Sequence, residues 1–308
     1  MSQAVELLPW RRFKLTTAKF LSMLWVLILL IAAPPAATES GRTRVLIDAA
    51  HHNFHTASER YAPLVKLLEE SGFAVASTTA PLTRTALRTA DVVVIANALH
   101  VSNVDRWQQP VKPAFSASEI ALLTRWVKSG GSLLLIADHF PFPGAIDTLA
   151  AAFGFKFVNG FALRADLATA DIFDFYEGSL KPHELISGPD LSPPVTRIAA
   201  FTGSAFEGPA AAQPLMVLSG GYDVWMTSTA WEFSVDTPKR AGDGLLQGAT
   251  LLYGKGRVAV FAEAAMFTRQ TAQEDPQTLI GFDAPTARDN RAFVINLFRW
   301  LSPAVSPR

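Results

Sequence analysis

The chain has 308 residues, with 27 Lys plus Arg against 27 Asp plus Glu, six His and no Cys. A formal charge of +0 excludes nucleic-acid binding through a broad basic surface, and 49% hydrophobic against 18% charged residues excludes a disordered chain. Without cysteine there is no disulfide, no thiolate metal site, no lipoprotein anchor and no thiol nucleophile.

The neutral total hides an uneven spread. Residues 1–19 carry Arg11, Arg12, Lys14 and Lys19 against Glu6, a net of +3, and residues 20–38 carry no charge, so the rest sums to −3. Basic residues, then apolar Leu21–Ala33, then Pro34-Pro35-Ala36-Ala37-Thr38 match the three regions of an export signal. The apolar run is shorter than the roughly 20 residues that span a bilayer comfortably. Prolines around the cleavage region keep an uncleaved inner-membrane anchor as the competing expectation for residues 1–38. Either way the body, 39–308, is expected outside the cytoplasm, periplasmic or held at the inner membrane.

From Arg44 onward, short continuous apolar runs alternate with amphipathic stretches, the pattern of parallel strands covered by helices on both faces. Val45-Leu46-Ile47 is the first predicted strand. Tyr61, Leu64, Val65 and Leu68 follow at helical spacing, with Gly72 as the stop. Phe73–Ala76 and Val92–Ile95 are the next strands. Ser116 and Glu119 form a capping box for a helix burying Ile120, Leu123 and Val127, and Gly130-Gly131 ends it. Leu133–Ile136 is the fourth and central strand, and Ala145–Phe153 another helix.

Residues 159–245, rich in proline and glycine, read as an irregular or β insertion with short strands at Leu215–Leu218 and Val224–Thr227. Gly254-Lys255-Gly256 is a tight turn before the strand Val258–Phe261. A closing helix buries Phe293, Val294, Leu297 and Trp300, with Asn290 as its cap. The fold class is therefore α/β, with a mostly parallel sheet in a three-layer sandwich.

Ligands in such sheets sit beyond the carboxyl ends of the strands. The first strand is followed by Asp48-Ala49-Ala50-His51-His52-Asn53-Phe54-His55-Thr56, the fourth by Ala137-Asp138-His139-Phe140-Pro141, and the late strand by Glu263. Imidazole and carboxylate together bind Zn²⁺ or Mn²⁺ without thiols. His51 and His55 are thus candidate metal ligands, with Asp48, Asp138 and His139 as further ones. Asp138, His139 and Glu263 are the candidate acid–base groups, and Asp48 and Asn53 the candidate ligand-binding ones. Two other readings of the same turns stand: metal-free acid–base work, and plain hydrogen-bonded polar loops. His100 and His183 look isolated, His183 as a surface loop residue. Trp225 and Trp231 read most simply as core, with sugar stacking as the minor option. Phe201-Thr202-Gly203-Ser204-Ala205-Phe206 lacks the second glycine of a nucleophile elbow.

These two His-containing turns, with Phe153-Gly154, Asn159-Gly160-Phe161, the Phe201–Phe206 segment and Glu263-Ala264-Ala265-Met266-Phe267, resemble a group of exported bacterial proteins of unknown function. That group is similar to the class I glutamine-amidotransferase-like superfamily, which also holds the trehalose-utilisation-like proteins and the domain of gliding-motility and intraflagellar-transport proteins. The resemblance covers about residues 43–303 and implies a flavodoxin-like sheet. It also implies a cysteine on the turn after the central strand, served by His and Glu from a later strand. Here that turn offers Ala137, Asp138 and His139, and no His stands two residues before Glu263, so glutaminase chemistry is not expected. Members of the group tend to carry Glu where this chain has Ala49, which points toward a weakened or inactive site. The resulting expectation is an exported domain that binds a small polar or carbohydrate-derived ligand, if catalytic a metal-dependent hydrolase. The alternative is a non-catalytic binding or scaffolding module of the envelope.

Overall fold

The computed structural model describes residues 41–164, 170–188, 194–272 and 275–302. The expected signal or anchor, 1–38, lies outside the described residues. Among those described, no helix is long and apolar enough to cross a membrane.

Five strands make the parallel part of the main sheet: β1 (Arg44–Asp48), β2 (Ala74–Thr78), β3 (Val92–Ala96), β4 (Ser132–Ile136) and, much later, β13 (Gly256–Phe261). Their order is β2-β1-β3-β4-β13, the flavodoxin-type arrangement with its reversal between β1 and β3. The register explains why these strands read as unbroken apolar runs. Leu46, Val93, Leu133 and Val258 stand side by side, as do Ile47, Val94, Leu134 and Ala259. Successive residues point to opposite faces, and the two rows enter two separate cores.

Helices α1 (Ala62–Glu70) and α6 (Asn290–Leu301) cover the face of the Ile47 row, through Leu64, Leu68, Phe293 and Leu297. The short α2 (Arg84–Arg88), then α3 (Ala117–Lys128) and α4 (Phe142–Ala151), cover the face of the Leu46 row through Leu87, Leu123, Val127, Ile146 and Leu149. Each such buried side chain contributes about 1.5–3 kcal/mol. The expected capping box is present: Ser116 accepts from the Glu119 N–H, while the Glu119 carboxylate accepts from the Ser116 N–H.

The segment 159–245 is more regular than its composition suggested. With β5 (Lys156–Arg164), β8 (Gly203–Glu207), β10 (Tyr222–Trp225), β11 (Lys239–Ala241) and β12 (Leu246–Tyr253), it continues the same sheet in antiparallel sense, in the order β13-β12-β8-β5-β10-β11. The expected strand near 215 is β9 (Gln213–Val217), paired among the named strands to β12, with a single bridge from Met216 to Leu180 on its other side. That edge position tolerates Pro214, which has no N–H to donate. A small pair, β6 (Asp171–Asp174) and β7 (Arg197–Ala200), stands apart from this sheet, as does the pair β14 (Arg269–Thr271) and β15 (Leu279–Gly281), and α5 (Glu184–Ser187) lies between β6 and β7 in the chain.

Candidate functional site

The sequence-predicted site residues lie at or just past the carboxyl ends of β1, β4 and β13, because those three strands are parallel and in register. They are nevertheless held in different ways. Asp48, the last residue of β1, is fully buried and receives the Ala50 N–H on one oxygen at 3.2 Å. Its other oxygen meets His51 Nδ1 at 2.8 Å, while His51 Nε2 meets Glu119 Oε1 at 3.0 Å. The His51 ring packs on Phe115, with centroids 4.0 Å apart. Burial opposes charge on this imidazole, but the two carboxylates outweigh it and raise its pKa above the ordinary value. The same contact holds Glu119 below the usual carboxylate range against the opposing effect of burial, with help from Ser116. His51 is thus a buried imidazole with a carboxylate at each nitrogen, an arrangement that favours its charged form.

Asn53 secures the same loop: its Oδ1 accepts from the His51 N–H at 3.0 Å, and its Nδ2 donates to the Ala96 carbonyl at 3.2 Å. Past β3 stands Asn97, buried and at φ 49°. Its Oδ1 accepts from the Asp138 N–H at 2.8 Å and its Nδ2 donates to His55 Nδ1 at 3.0 Å. That donor obliges His55 Nδ1 to accept, which leaves the ring proton on Nε2. Burial, Arg60 and His139 together lower the His55 pKa to about 3.

Past β4, Asp138 accepts from the His139 N–H at 2.9 Å. His139 Nδ1 donates to the Phe140 carbonyl at 2.8 Å, and its Nε2 has no hydrogen-bond partner among the described residues. The imidazole stacks on Phe161 at 4.5 Å and 9°, meets Trp231 at 4.7 Å, and has Phe142 and Trp107 further out. Burial lowers its pKa to about 4, despite the carbonyl that favours its proton. Past β13, the fully buried Glu263 accepts the N–H groups of Ala265 and Met266 at 2.7 and 2.8 Å. Burial raises the pKa of both Asp138 and Glu263, and the charge of Asp138 pushes Glu263 further the same way.

The candidate metal ligands are not gathered into one cluster. Among the described residues no group of three or more His, Asp or Glu side chains is placed to hold a metal ion. Both nitrogens of His51 are taken by Asp48 and Glu119, and His55 Nδ1 is taken by Asn97, so three of these four ring nitrogens are committed to protein partners. Three smaller expectations also change. Trp231 is not core but half-exposed at 55%, at φ 67°. Asn290 does not cap α6; it bridges to both backbone groups of Ala199 at 3.0 and 2.8 Å. His183 is no free surface residue: Nδ1 accepts the Leu185 N–H at 3.1 Å and Nε2 meets Thr250 Oγ1 at 3.0 Å.

Outside this polar layer, at the same edge, lies an open cleft of about 960 Å³, lined by Asn53, Phe54, Arg60, Trp107, Arg269 and Gln270 among others. Phe54 and Trp107 meet edge to face at 5.2 Å. The Arg60 guanidinium lies 4.2 Å over Phe54 and donates to Gln270 Oε1 at 3.1 Å. Trp107 sits in a loop joined to the segment after β10 by two backbone bonds of 2.8 Å, Gln109 N–H to the Ser228 carbonyl and Ala230 N–H to the Trp107 carbonyl. The sequence reading missed Asn97, Arg60, Trp107, Phe161 and the second role of Glu119. Asn97 alone carried a usable signal, a polar residue directly after the apolar β3; the others are brought in by contacts distant in sequence.

No family model and no curated protein matches the chain. Solved structures do. The mmIFT52 N-terminal domain is 14% identical, with a TM-score of 0.59 over 86% of this chain and 100% of that one. A cytoplasmic protein of Salmonella typhimurium LT2 is 15% identical, with a TM-score of 0.51 over 84% and 99%. A ThuA-like protein from Bacteroides uniformis ATCC 8492 matches at 10% identity and 0.45 over 87% and 95%. At such identities the first two likenesses establish the α/β fold, with its mostly parallel, flavodoxin-like sheet, and nothing of the reaction.

Proposed function

We propose that this domain is an exported ligand-binding module, which takes a small polar or carbohydrate-derived molecule in the cleft at the carboxyl edge of the sheet and performs no glutaminase chemistry. The observation that carries the reading is the division of labour at that edge. The inner groups are committed to the protein itself: Asp48 and Glu119 to His51, Asn97 to His55 and the Asp138 N–H, Glu263 to two backbone N–H groups. The outer cleft, of a size usual for small-molecule sites, presents an aromatic wall and polar side chains open to solvent. Export rests on the basic, then uncharged, N-terminal segment.

Calorimetric titration with neutral and acidic monosaccharides tests the reading. Trp107→Ala, which removes the aromatic wall, is expected to weaken binding at least tenfold, while Asp138→Asn leaves it within about twofold. Loss of binding in Asp138→Asn with retention in Trp107→Ala would move the site inward and sink the proposal. That reversed result would favour the second reading, metal-free hydrolysis, for which His139 is the one specific support: its tautomer is fixed by Phe140, and Nε2 is an unpartnered base.

A further inference from the structure

Three charged side chains line the cleft, and their partners differ. Arg269 is paired with Asp283. Glu59 accepts from Thr56 Oγ1 at 3.1 Å. Arg60 makes no ion pair among the described residues; its guanidinium rests on the Phe54 ring and is steadied by Gln270. A stacked, tethered guanidinium has already lost much of its rotamer freedom and keeps its remaining N–H donors for a planar, bidentate acceptor. Of the three, two are cationic and Glu59 alone is anionic. Ala62 and Pro63, also in the lining, begin α1, whose first turn holds no acidic residue and no side-chain cap. The Ala62 N–H there is taken by the Glu59 carbonyl and Pro63 has none, so the charge offered to an anion comes from Arg60. Trp107, about one aromatic layer away across Phe54, offers an apolar face for the rest of a ligand.

From Arg60, which has no ion pair among the described residues and faces this cavity, we infer that the ligand of the cleft is an acidic small molecule of sugar size, its oxyanion held by the guanidinium of Arg60 and its ring by Trp107. This rests on the reading of the cleft as the binding site. Carboxylate and phosphate share the chemistry, so the experiment carries both.

Titration at low ionic strength with D-glucuronate, D-glucose and inorganic phosphate, on the full chain and on Arg60→Gln, Arg60→Lys and Trp107→Ala, separates the possibilities. Arg60 is exposed, so unchanged melting temperatures are expected to certify folding of its two variants. The expected result is glucuronate bound at least tenfold tighter than glucose. Arg60→Gln should lose at least tenfold for glucuronate and nothing for glucose, and Arg60→Lys should fall between, because it keeps the charge but not the fork. Phosphate bound more tightly than glucuronate, with the same dependence on Arg60, also supports the oxyanion site and names a phosphate ester as the source. Glucose bound as tightly as either anion, or affinities untouched by Arg60→Gln, would overturn the inference while leaving the cleft as a binding site. Failure of every probe to bind up to millimolar concentration would remove both.

Discussion

Two histidines close two turns at one edge of one sheet, and their pKa values are displaced in opposite directions. His51, three residues past the end of β1, lies between Asp48 and Glu119, which favour its charged form. His139, past the end of β4, follows an aspartate as well, yet that carboxyl turns to the backbone N–H and the imidazole is left among Phe161, Trp231, Phe142 and Trp107. Both rings are almost wholly buried. Burial alone disfavours the imidazolium in each case, and only His51 has anions close enough to reverse the sign. The lesson is that a histidine beside an aspartate in sequence says little until the direction of the carboxylate is known.

The largest test of the contrast is His51→Ala. Asp48 is fully buried, and the substitution leaves one of its oxygens without a counter-charge; breaking a buried pair from one side typically costs about 3–5 kcal/mol. Urea unfolding at pH 7 should show a loss of that order, whereas Glu119→Gln, whose partner oxygen is nearer solvent and whose amide still accepts a hydrogen bond, should lose clearly less. Equal losses would mean that the outer anion, not the buried one, holds the imidazolium. The pH dependence has a defined sign. The folded pKa of His51 is raised, so its contribution is complete below the ordinary value of 6.5 and fades as pH rises through the folded value.

Much of the frame behind this contrast was readable in the chain itself. Strands buried on both faces must be continuous apolar runs, so β1, β3, β4 and β13 were located to within a residue or two, and the turns that follow them came with them. The antiparallel half was not readable for an equally physical reason. β5 is interrupted by Gly160, which resembles a loop residue in sequence; in the fold a Cβ there would stand 2.5 Å from the Trp225 carbonyl, so glycine is what lets β10 pair. The site divides in the same way. Asp48, His51, Asp138, His139 and Glu263 were legible as residue types at strand ends. Their partners were not: Glu119 reaches His51 across 68 positions, and Asn97 joins His55 to Asp138 across 42 and 41. Residue types alone suggested metal ligands in His51, His55, Asp48, Asp138 and His139; the partners show in addition that His51, His55 and Asp138 tie the turns to Glu119 and Asn97.

The second test runs in the opposite pH direction. His139 has a folded pKa of about 4 against 6.5 unfolded, so its contribution is complete above pH 6.5 and is lost as pH falls toward 4. A displacement of that size corresponds to at most about 3 kcal/mol. His139→Phe keeps the ring contacts and removes the titration. It forfeits the bond to the Phe140 carbonyl at every pH, so the informative quantity is the difference between pH 7 and pH 4. That difference should shrink by up to about 3 kcal/mol in the variant, with the remaining acid loss carried in part by His55, which is displaced the same way. An unchanged acid limb would show that the aromatic surroundings do not keep His139 neutral.

The smallest effect is the finest probe of the cage. Trp231 is half-exposed, so deleting its ring should cost only about 1 kcal/mol, and its φ of 67° is a conformation that a residue with a Cβ occupies at a cost of about 1–2 kcal/mol. Trp231→Gly removes ring and Cβ together and should therefore be at least as stable as Trp231→Ala, by about 1 kcal/mol. Both open one side of His139 to water, since the indole lies 4.7 Å from the imidazole. Proton NMR titration should then show the His139 pKa rising from about 4 toward 6.5 in both variants, with His51, which the indole does not touch, unmoved. A His139 that stays put would assign its burial to the stacked Phe161 and to Trp107, making Trp231 a cover over the site rather than the source of its low pKa.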